Sequence, residues 1–401
     1  MANTIGLAPN QIPTNNMLGT AAYLGVDQIN ASALPVGSIV QVPYYLTDTN
    51  WLPCLGQRLV RTQYPALAAC VPSIGVFTPT TRTKSAASAS GALCADSTNW
   101  ISAGAVGTTN IYTSPDGVTW TGRTTPASTD TRSLINDGTN IIGIGPANAI
   151  YSTNGGSTWT ASASSPSTGA SAIQDCMALA PSLGTVGRLC ATNNATGFWT
   201  SDDRGVTWTS RTTSSPNIFW HVCWTGTKFI ALNSSFQAWS SSDGITWARL
   251  GLTVDIGTIS AQNGSIASDG NGLVVIACNN GGLLVSTDHG ATWTVRVATY
   301  AGVATVCRSN GRFFVSQSNG NLLVSIDALT WVSTNDMRLF DGSYASPVAY
   351  KSGVYMTGGF GINTCLTMVE DTTQMVLPSA PMAGTVNLGM PALLTPWIKV
   401  R

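Results

Sequence analysis

Two carboxylates placed either side of a glycosidic bond suffice to hydrolyse a saccharide, one as acid and one as base or nucleophile. This chain offers few candidates. It has one Glu, Glu370, and the acids that stand out for such a role are Asp130, Asp175, Asp255, Asp336 and Asp341. Asp175 precedes the apolar run Cys176-Met177-Ala178-Leu179 and could face a central funnel, although a turn Asp would read the same. No two of these acids form a recognisable pair. The only His are His221 and His289. Without a carboxylate or thiolate partner, two isolated His build neither a zinc site nor a triad. The nine Cys are 54, 70, 94, 176, 190, 223, 278, 307 and 365, with no close pair at zinc-site spacing, and they read as small buried thiols. No catalytic residue, cofactor or metal site is assigned.

Aromatic side chains are the stronger lead, because saccharide rings stack on exposed aromatic faces. Trp199, Trp220, Trp224 and Trp239 are the candidate ligand-binding residues, with Phe198, Phe219, Phe236 and Tyr300 nearby in sequence or type. The competing reading for each is packing between structural units. Composition fits a neutral partner. Only 9% of residues are charged and the net charge is zero, against an ordinary share of about a quarter. That removes the electrostatic case for nucleic acid or an anionic membrane surface. No apolar run reaches the roughly 18 residues of a membrane span. Residues 1–16 carry no basic region followed by an apolar stretch, so no secretory signal is expected there.

The elements that must position these side chains are announced by a repeat. The phrase Ser-x-(Asp/Asn)-x-Gly-x-Thr-Trp is complete at Ser152–Trp159, Ser201–Trp208 and Ser286–Trp293. It is one residue shorter at Ser114–Trp120 and Ser241–Trp247, and worn at Ser325–Trp331. Its six Trp are 39, 49, 39, 46 and 38 positions apart, close to the roughly 40–50 residues of one propeller blade. Within one unit the pattern reads as four short strands. Thr131 to Asn136, Ile141 to Ile144 and Ala149 to Ser152 are separated by Asp137–Asn140 and Gly145–Asn148, and a fourth strand starts at Thr158. A seventh, degenerate unit spans Ala345 to Val376, with Leu366 to Asp371 where the phrase should stand. The expected fold is all-β: a seven-bladed propeller, with six blades as the alternative.

The phrase has a mechanical explanation. An Asp or Asn carboxyl or amide accepts backbone N–H groups in a turn, Gly takes a positive φ, hydroxyls satisfy the remaining backbone groups, and Trp fills the layer between blades. Asp116, Trp120, Asn154, Trp159, Asp203, Trp208, Asp243, Trp247, Asp288, Trp293, Asp327 and Trp331 are therefore read as structural. The phrase resembles the Asp-box, or bacterial neuraminidase, repeat over about residues 85–380. That resemblance implies a propeller and says little about function. Sialidase chemistry would need three Arg, an Asp, and a Tyr polarised by Glu. The single Glu and the scattered Arg132, Arg188, Arg249, Arg308 and Arg338 argue against it.

The ends follow other rules. Met17 to Tyr23 resembles the attachment regions of phage tail fibres. Val36 to Pro43, Trp51 to Gln57 and Arg61 to Leu67 resemble the phage tail-collar domain, departing from its pattern at Asn50 and Leu55. Pro391 to Arg401 resembles the closing strand of collar-type fibre proteins. The implied organisation is an attachment or oligomerisation segment (1–35), a collar-like first part (36–84), the propeller (85–376) and the collar-like last part (377–401). The implied protein is a non-enzymatic virion component, made in the host cytoplasm and assembled as a homotrimer with other tail or collar proteins. It would recognise a host-surface glycan or receptor, with no nucleic acid partner and no membrane insertion. A virion-borne glycosidase or depolymerase, and an architectural head fibre, are the alternatives.

Overall fold

A computed structural model describes residues 39–42, 51–53, 58–70, 74–83, 92–104, 110–126, 131–145, 148–164, 166, 176–192, 196–235, 237–251, 265–278, 282–297, 303–317, 322–333, 345–359, 364–376 and 395–399. The sequence candidates Asp130, Asp175, Asp255, Asp336, Asp341, Phe236 and Tyr300, and the attachment segment 1–35, lie outside these residues. The chain divides into two units, 77–370 and the combination of 1–76 with 371–401.

The larger unit is a seven-bladed β-propeller. Each blade is a four-stranded sheet, and in blades 1 to 6 its strands are consecutive in the chain and antiparallel. The first strands, which are innermost, are Leu93–Ala95, Ser133–Asn136, Met177–Ala180, Phe219–Trp224, Ile266–Ser268, Val303–Ser309 and Ala345–Lys351. Each touches the first strand of the blades on either side, and the seventh returns to the first, so the ring is closed. Middle strands such as Ile141–Ile144, Val274–Ala277 and Leu322–Ser325 are buried along their whole length. A blade is covered on both faces by its neighbours, so its central strands read as continuous apolar runs and not as alternating ones.

Blade 7 corrects the boundaries expected from sequence. Its first three strands are Ala345–Lys351, Val354–Gly359 and Thr364–Asp371, and its outer strand is Val76–Thr83. From sequence those eight residues belong to the collar-like first part, 36–84. They close the ring because the seventh unit supplies only three strands of its own before the chain leaves it. Phe77 anchors the closure, with its ring edge-on to Phe314 of blade 6 and Tyr355 of blade 7. Conversely Gln374–Val376, expected in the propeller, pairs with Arg58–Val60 in the smaller unit.

In the smaller unit the C-terminal strand Thr395–Lys399 lies between Ile39–Val42 and Trp51–Pro53. Leu52 faces Ile398 and Pro53 faces Trp397 across the ladder. Arg61 gathers this unit locally. Its backbone N–H donates to the Thr373 carbonyl at 2.8 Å, and its guanidinium reaches the carbonyls of Gln374, Ala68 and Ile74 at 3.2, 3.4 and 3.0 Å.

Six of the interfaces, from blades 7 and 1 round to blades 5 and 6, each hold an apolar cluster. In the cluster between blades 2 and 3, Ile142, Ile144 and Ala149 meet Cys176, Met177, Leu189, Ala191 and Trp208. The Trp of every repeated phrase packs into the cluster shared with the preceding blade. Trp159 sits between blades 1 and 2, Trp247 between 3 and 4, Trp293 between 4 and 5, Trp331 between 5 and 6, and Trp120 between 7 and 1.

Gly290 shows how closely the turn approaches its neighbour. It sits at φ +81°, and an added Cβ would collide with Ile230 Cδ1 of blade 4. Gly290→Ala therefore combines a left-handed penalty of about 1–2 kcal/mol with overpacking of a similar size. We expect a loss of about 2–4 kcal/mol in chemical denaturation, whereas Gly311→Ala, at φ +73° with open space around it, should cost only the left-handed term.

Candidate functional site

The repeated phrase forms one turn six times, joining the third and fourth strands of blades 1 to 6. In every copy the Ser hydroxyl donates to the Asp or Asn Oδ1 at 2.8–3.0 Å. The same hydroxyl accepts the backbone N–H of the Gly position at 2.8–2.9 Å. Oδ1 also accepts the Thr backbone N–H at 2.8–2.9 Å. In blades 2 to 6 the indole N–H donates to the carbonyl of the Gly position at 3.0–3.2 Å. The long form needs two successive left-handed residues, such as Arg204 at φ 61° and Gly205 at φ 83°. The short form needs one, which in blade 6 is Ala328 at φ 55°.

These bonds hold the carboxylates in their charged form. Backbone N–H groups of Thr119 and Val118 lower the Asp116 pKa to about 2. For Asp288 the Thr292 hydroxyl and N–H have the same effect, again to about 2. Burial pushes Asp203 upward, but the Thr207 hydroxyl and N–H outweigh it and the net shift is downward. A depressed folded-state pKa contributes stability above the unfolded carboxyl range, and that stability is lost as pH falls through the folded value. The acid limb of unfolding should therefore lie between about pH 4 and pH 2. Blade 2 turns on Asn154, which keeps the same acceptor bond from the Thr158 N–H and does not titrate. Replacing Asp116, Asp203, Asp243 and Asp288 together by Asn should flatten that limb in an acid melting series. An unchanged limb would show that the turns do not set it.

A second layer of contacts was not anticipated from sequence. The turn between the first two strands of one blade reaches the repeated turn of the next. Asn99 Nδ2 donates to the Gly155 carbonyl and Asn140 Nδ2 to the Arg204 carbonyl, both at 3.3 Å. Arg188 holds Asp202 through two bonds of 2.7 Å and the Asp243 carbonyl through a third. Lys351 of blade 7 donates to the carbonyls of Thr98 and Pro115 in blade 1. His289 belongs to this set. It is half-buried with Nδ1 2.9 Å from the Thr225 carbonyl, so Nδ1 carries the proton. The only legible signal was the Asp-x-x-Asn pair repeated at Asp96–Asn99 and Asp137–Asn140.

Blade 7 lacks the phrase, and Glu370 takes up its stapling role. Glu370 Oε1 lies 3.2 Å from Arg312 of blade 6, with side chains 8% and 19% exposed respectively. Tyr355, fully buried, donates to Glu370 Oε2 at 3.5 Å and accepts from Asn310 at 3.1 Å. Burial raises the Tyr355 phenol above its ordinary range. Tyr355 and Glu370 are thus enclosed between two blades.

The four candidate aromatics separate clearly. Trp239 is buried and meets Phe219 edge-on at 5.8 Å, so it is core. Trp224 packs against Phe229 at 4.8 Å. Trp199 and Trp220 are half-buried against the cluster between blades 2 and 3. Trp220 is placed by a bulge. Phe219 pairs with Asn233 and His221 with Leu232, leaving Trp220 as the extra residue. Cys94, Cys190, Cys223 and Cys278 are buried thiols, and burial lifts their pKa, that of Cys278 to about 12. They are not poised to react. Among the described residues no three His, Cys, Asp or Glu gather as a metal site, and no helix is long and apolar enough to cross a membrane.

No family model and no curated protein matches this chain. Solved structures that it resembles include YCF48 bound to a D1 peptide, at 16% identity and a TM-score of 0.56, covering 74% of this chain and all of that one. An inactive virginiamycin B lyase from Staphylococcus aureus with quinupristin matches at 8% identity and TM-score 0.59, with 74% and 100% coverage. A GH74 enzyme from Niastella koreensis matches at 17% and 0.55, covering 72% of this chain and 44% of that one. At these identities the likeness is one of fold, and it includes enzymes and non-enzymes alike.

Proposed function

We propose that this chain is a phage virion protein of the tail-fibre or collar-spike type, a binding protein and not an enzyme. In this reading it is mounted through its terminal segments and uses the propeller to recognise a host-surface glycan. One observation carries the mounting. The two phrases that resemble a tail-collar domain, Trp51 to Gln57 and Pro391 to Arg401, lie more than 300 residues apart in sequence, and their strands hydrogen-bond in one sheet. Split halves of one collar-like domain would do this, with the propeller inserted between them. A homotrimer held by residues 1–35 would then present several propellers, so that individually weak contacts add up.

In this reading the recognition surface lies at the ends of the blades. At one end blades 1 to 6 carry short, stapled turns. The sequence segments that link one blade to the next differ in length, from 298–302 to 250–265, and connections of variable length on a rigid frame are where binding specificity is built. The low charge of the chain suits a neutral saccharide. The test is competition. Soluble full-length chain, preincubated with host cells, should reduce adsorption of the particle and bind surface polysaccharide without releasing reducing ends. Release of reducing ends would favour a depolymerase, and no effect on adsorption would remove the recognition role.

A further inference from the structure

We infer that Trp199 and Trp220 form a stacking site for an uncharged saccharide, on the rim where blades 2, 3 and 4 meet; this rests on the glycan-recognition reading above. Trp199 and Trp239 hold the same register position, two residues before the Ser of the repeated phrase in successive blades. Their surroundings differ. Trp239 is closed in by Phe219 from its own inner strand and is core. Trp199 stays half-buried, and the indole that joins its cluster comes from the next blade, through the bulge at Trp220. A bulge that carries a large aromatic out of its own blade and onto a neighbour's has an energetic cost in lost pairing, and packing could have been met by Leu or Met in place.

The exposed surface of both rings is hydrocarbon. Each indole Nε1 is buried and has no acceptor among the described residues, so what the side chains offer solvent is carbon. That is the surface a sugar ring covers with its C–H face. The polar groups bonded next to Trp220 are hydroxyls and amides, and Arg211, on the strand paired with that of Trp199, donates to the Thr200 hydroxyl at 3.0 Å from the opposite face of the sheet. The Thr192 hydroxyl donates to the Trp220 carbonyl, and Thr213, Ser215, Asn217, Asn233 and Gln237 form a hydrogen-bonded chain along the adjoining connection. No charged side chain enters that chain of bonds. Aromatic carbon bordered by neutral donors and acceptors matches a neutral saccharide better than an acidic one, which would call for Arg or Lys.

The experiment uses the full chain labelled with 5-fluorotryptophan. It is titrated with neutral oligosaccharides of glucose, galactose, rhamnose and N-acetylglucosamine, with heparin oligosaccharide as the acidic control. Trp199→Phe, Trp220→Phe, Trp224→Phe and Trp239→Phe assign four of the ¹⁹F resonances. The expected result is that at least one neutral sugar shifts both and leaves Trp224 and Trp239 in place, while Trp199→Ala and Trp220→Ala each weaken binding at least tenfold. If an alanine variant fails to fold, the shifts in the wild-type chain still decide. A neutral sugar that binds without moving either resonance overturns this site and leaves glycan recognition standing. Preference for heparin overturns the neutral class. Absence of binding to every sugar overturns both the site and the recognition reading beneath it.

Discussion

Trp208→Ala is expected to destabilise the propeller by ~3–5 kcal/mol, the range for removing a large core side chain. Trp208 is 4% exposed and is the piece of blade 3 that enters the cluster of blade 2, against Ile142, Ile144 and Ala149. Its loss also frees the Gly205 carbonyl from the indole N–H bond of 3.1 Å. The backbone of Trp208 is held by Ser164, whose hydroxyl accepts its N–H at 2.9 Å and donates to its carbonyl at 2.7 Å. The site therefore cannot collapse to fill the void, which places the cost toward the upper end. Trp331→Ala should cost less, because Trp331 is only partly buried. Urea unfolding at constant m-value separates the two. Equal losses would contradict the claim that burial between blades, and not the turn alone, gives this residue its weight.

Glu370→Ala is expected to cost about 3 kcal/mol. Removing one partner of a mostly buried ion pair is strongly destabilising. Here Arg312 of blade 6 would keep its charge beside Tyr355 with its carboxylate gone. Replacing the pair together, Glu370→Leu with Arg312→Met, should recover most of the loss, because desolvating two charges consumes much of what their attraction supplies. A double-mutant cycle measures this as a coupling energy well above the few tenths typical of independent sites. Additive single losses would show that the pair does not join blades 6 and 7.

How far the sequence carried follows from where each interaction is encoded. The repeated turn was legible because all its bonds close within eight residues: Ser, Asp, Gly, Thr and Trp each satisfy a local backbone group or fill the adjacent layer. The closing strand Val76–Thr83 was not legible, because its partner Thr364–Asp371 lies nearly 300 positions away and an outer strand has little apolar pattern of its own. The staples from one blade to the next were hidden by their chemistry. Asn99 and Asn140 share one Asp-x-x-Asn signal, but Arg188 and Lys351 reach equivalent targets with other side chains, so no single residue marks every staple. Among the aromatics, Trp199 and Trp239 were indistinguishable in sequence because they share a register position. Only Phe219 on one inner strand and the bulge at Trp220 on the rim tell them apart.

The most direct test of the whole reading is a reconstruction of the phage particle in which the ends of this chain can be traced. The account predicts residues 39–70 and 395–399 against the particle and the propeller projecting away from it. A propeller packed inward, with those terminal strands facing solvent, would contradict it.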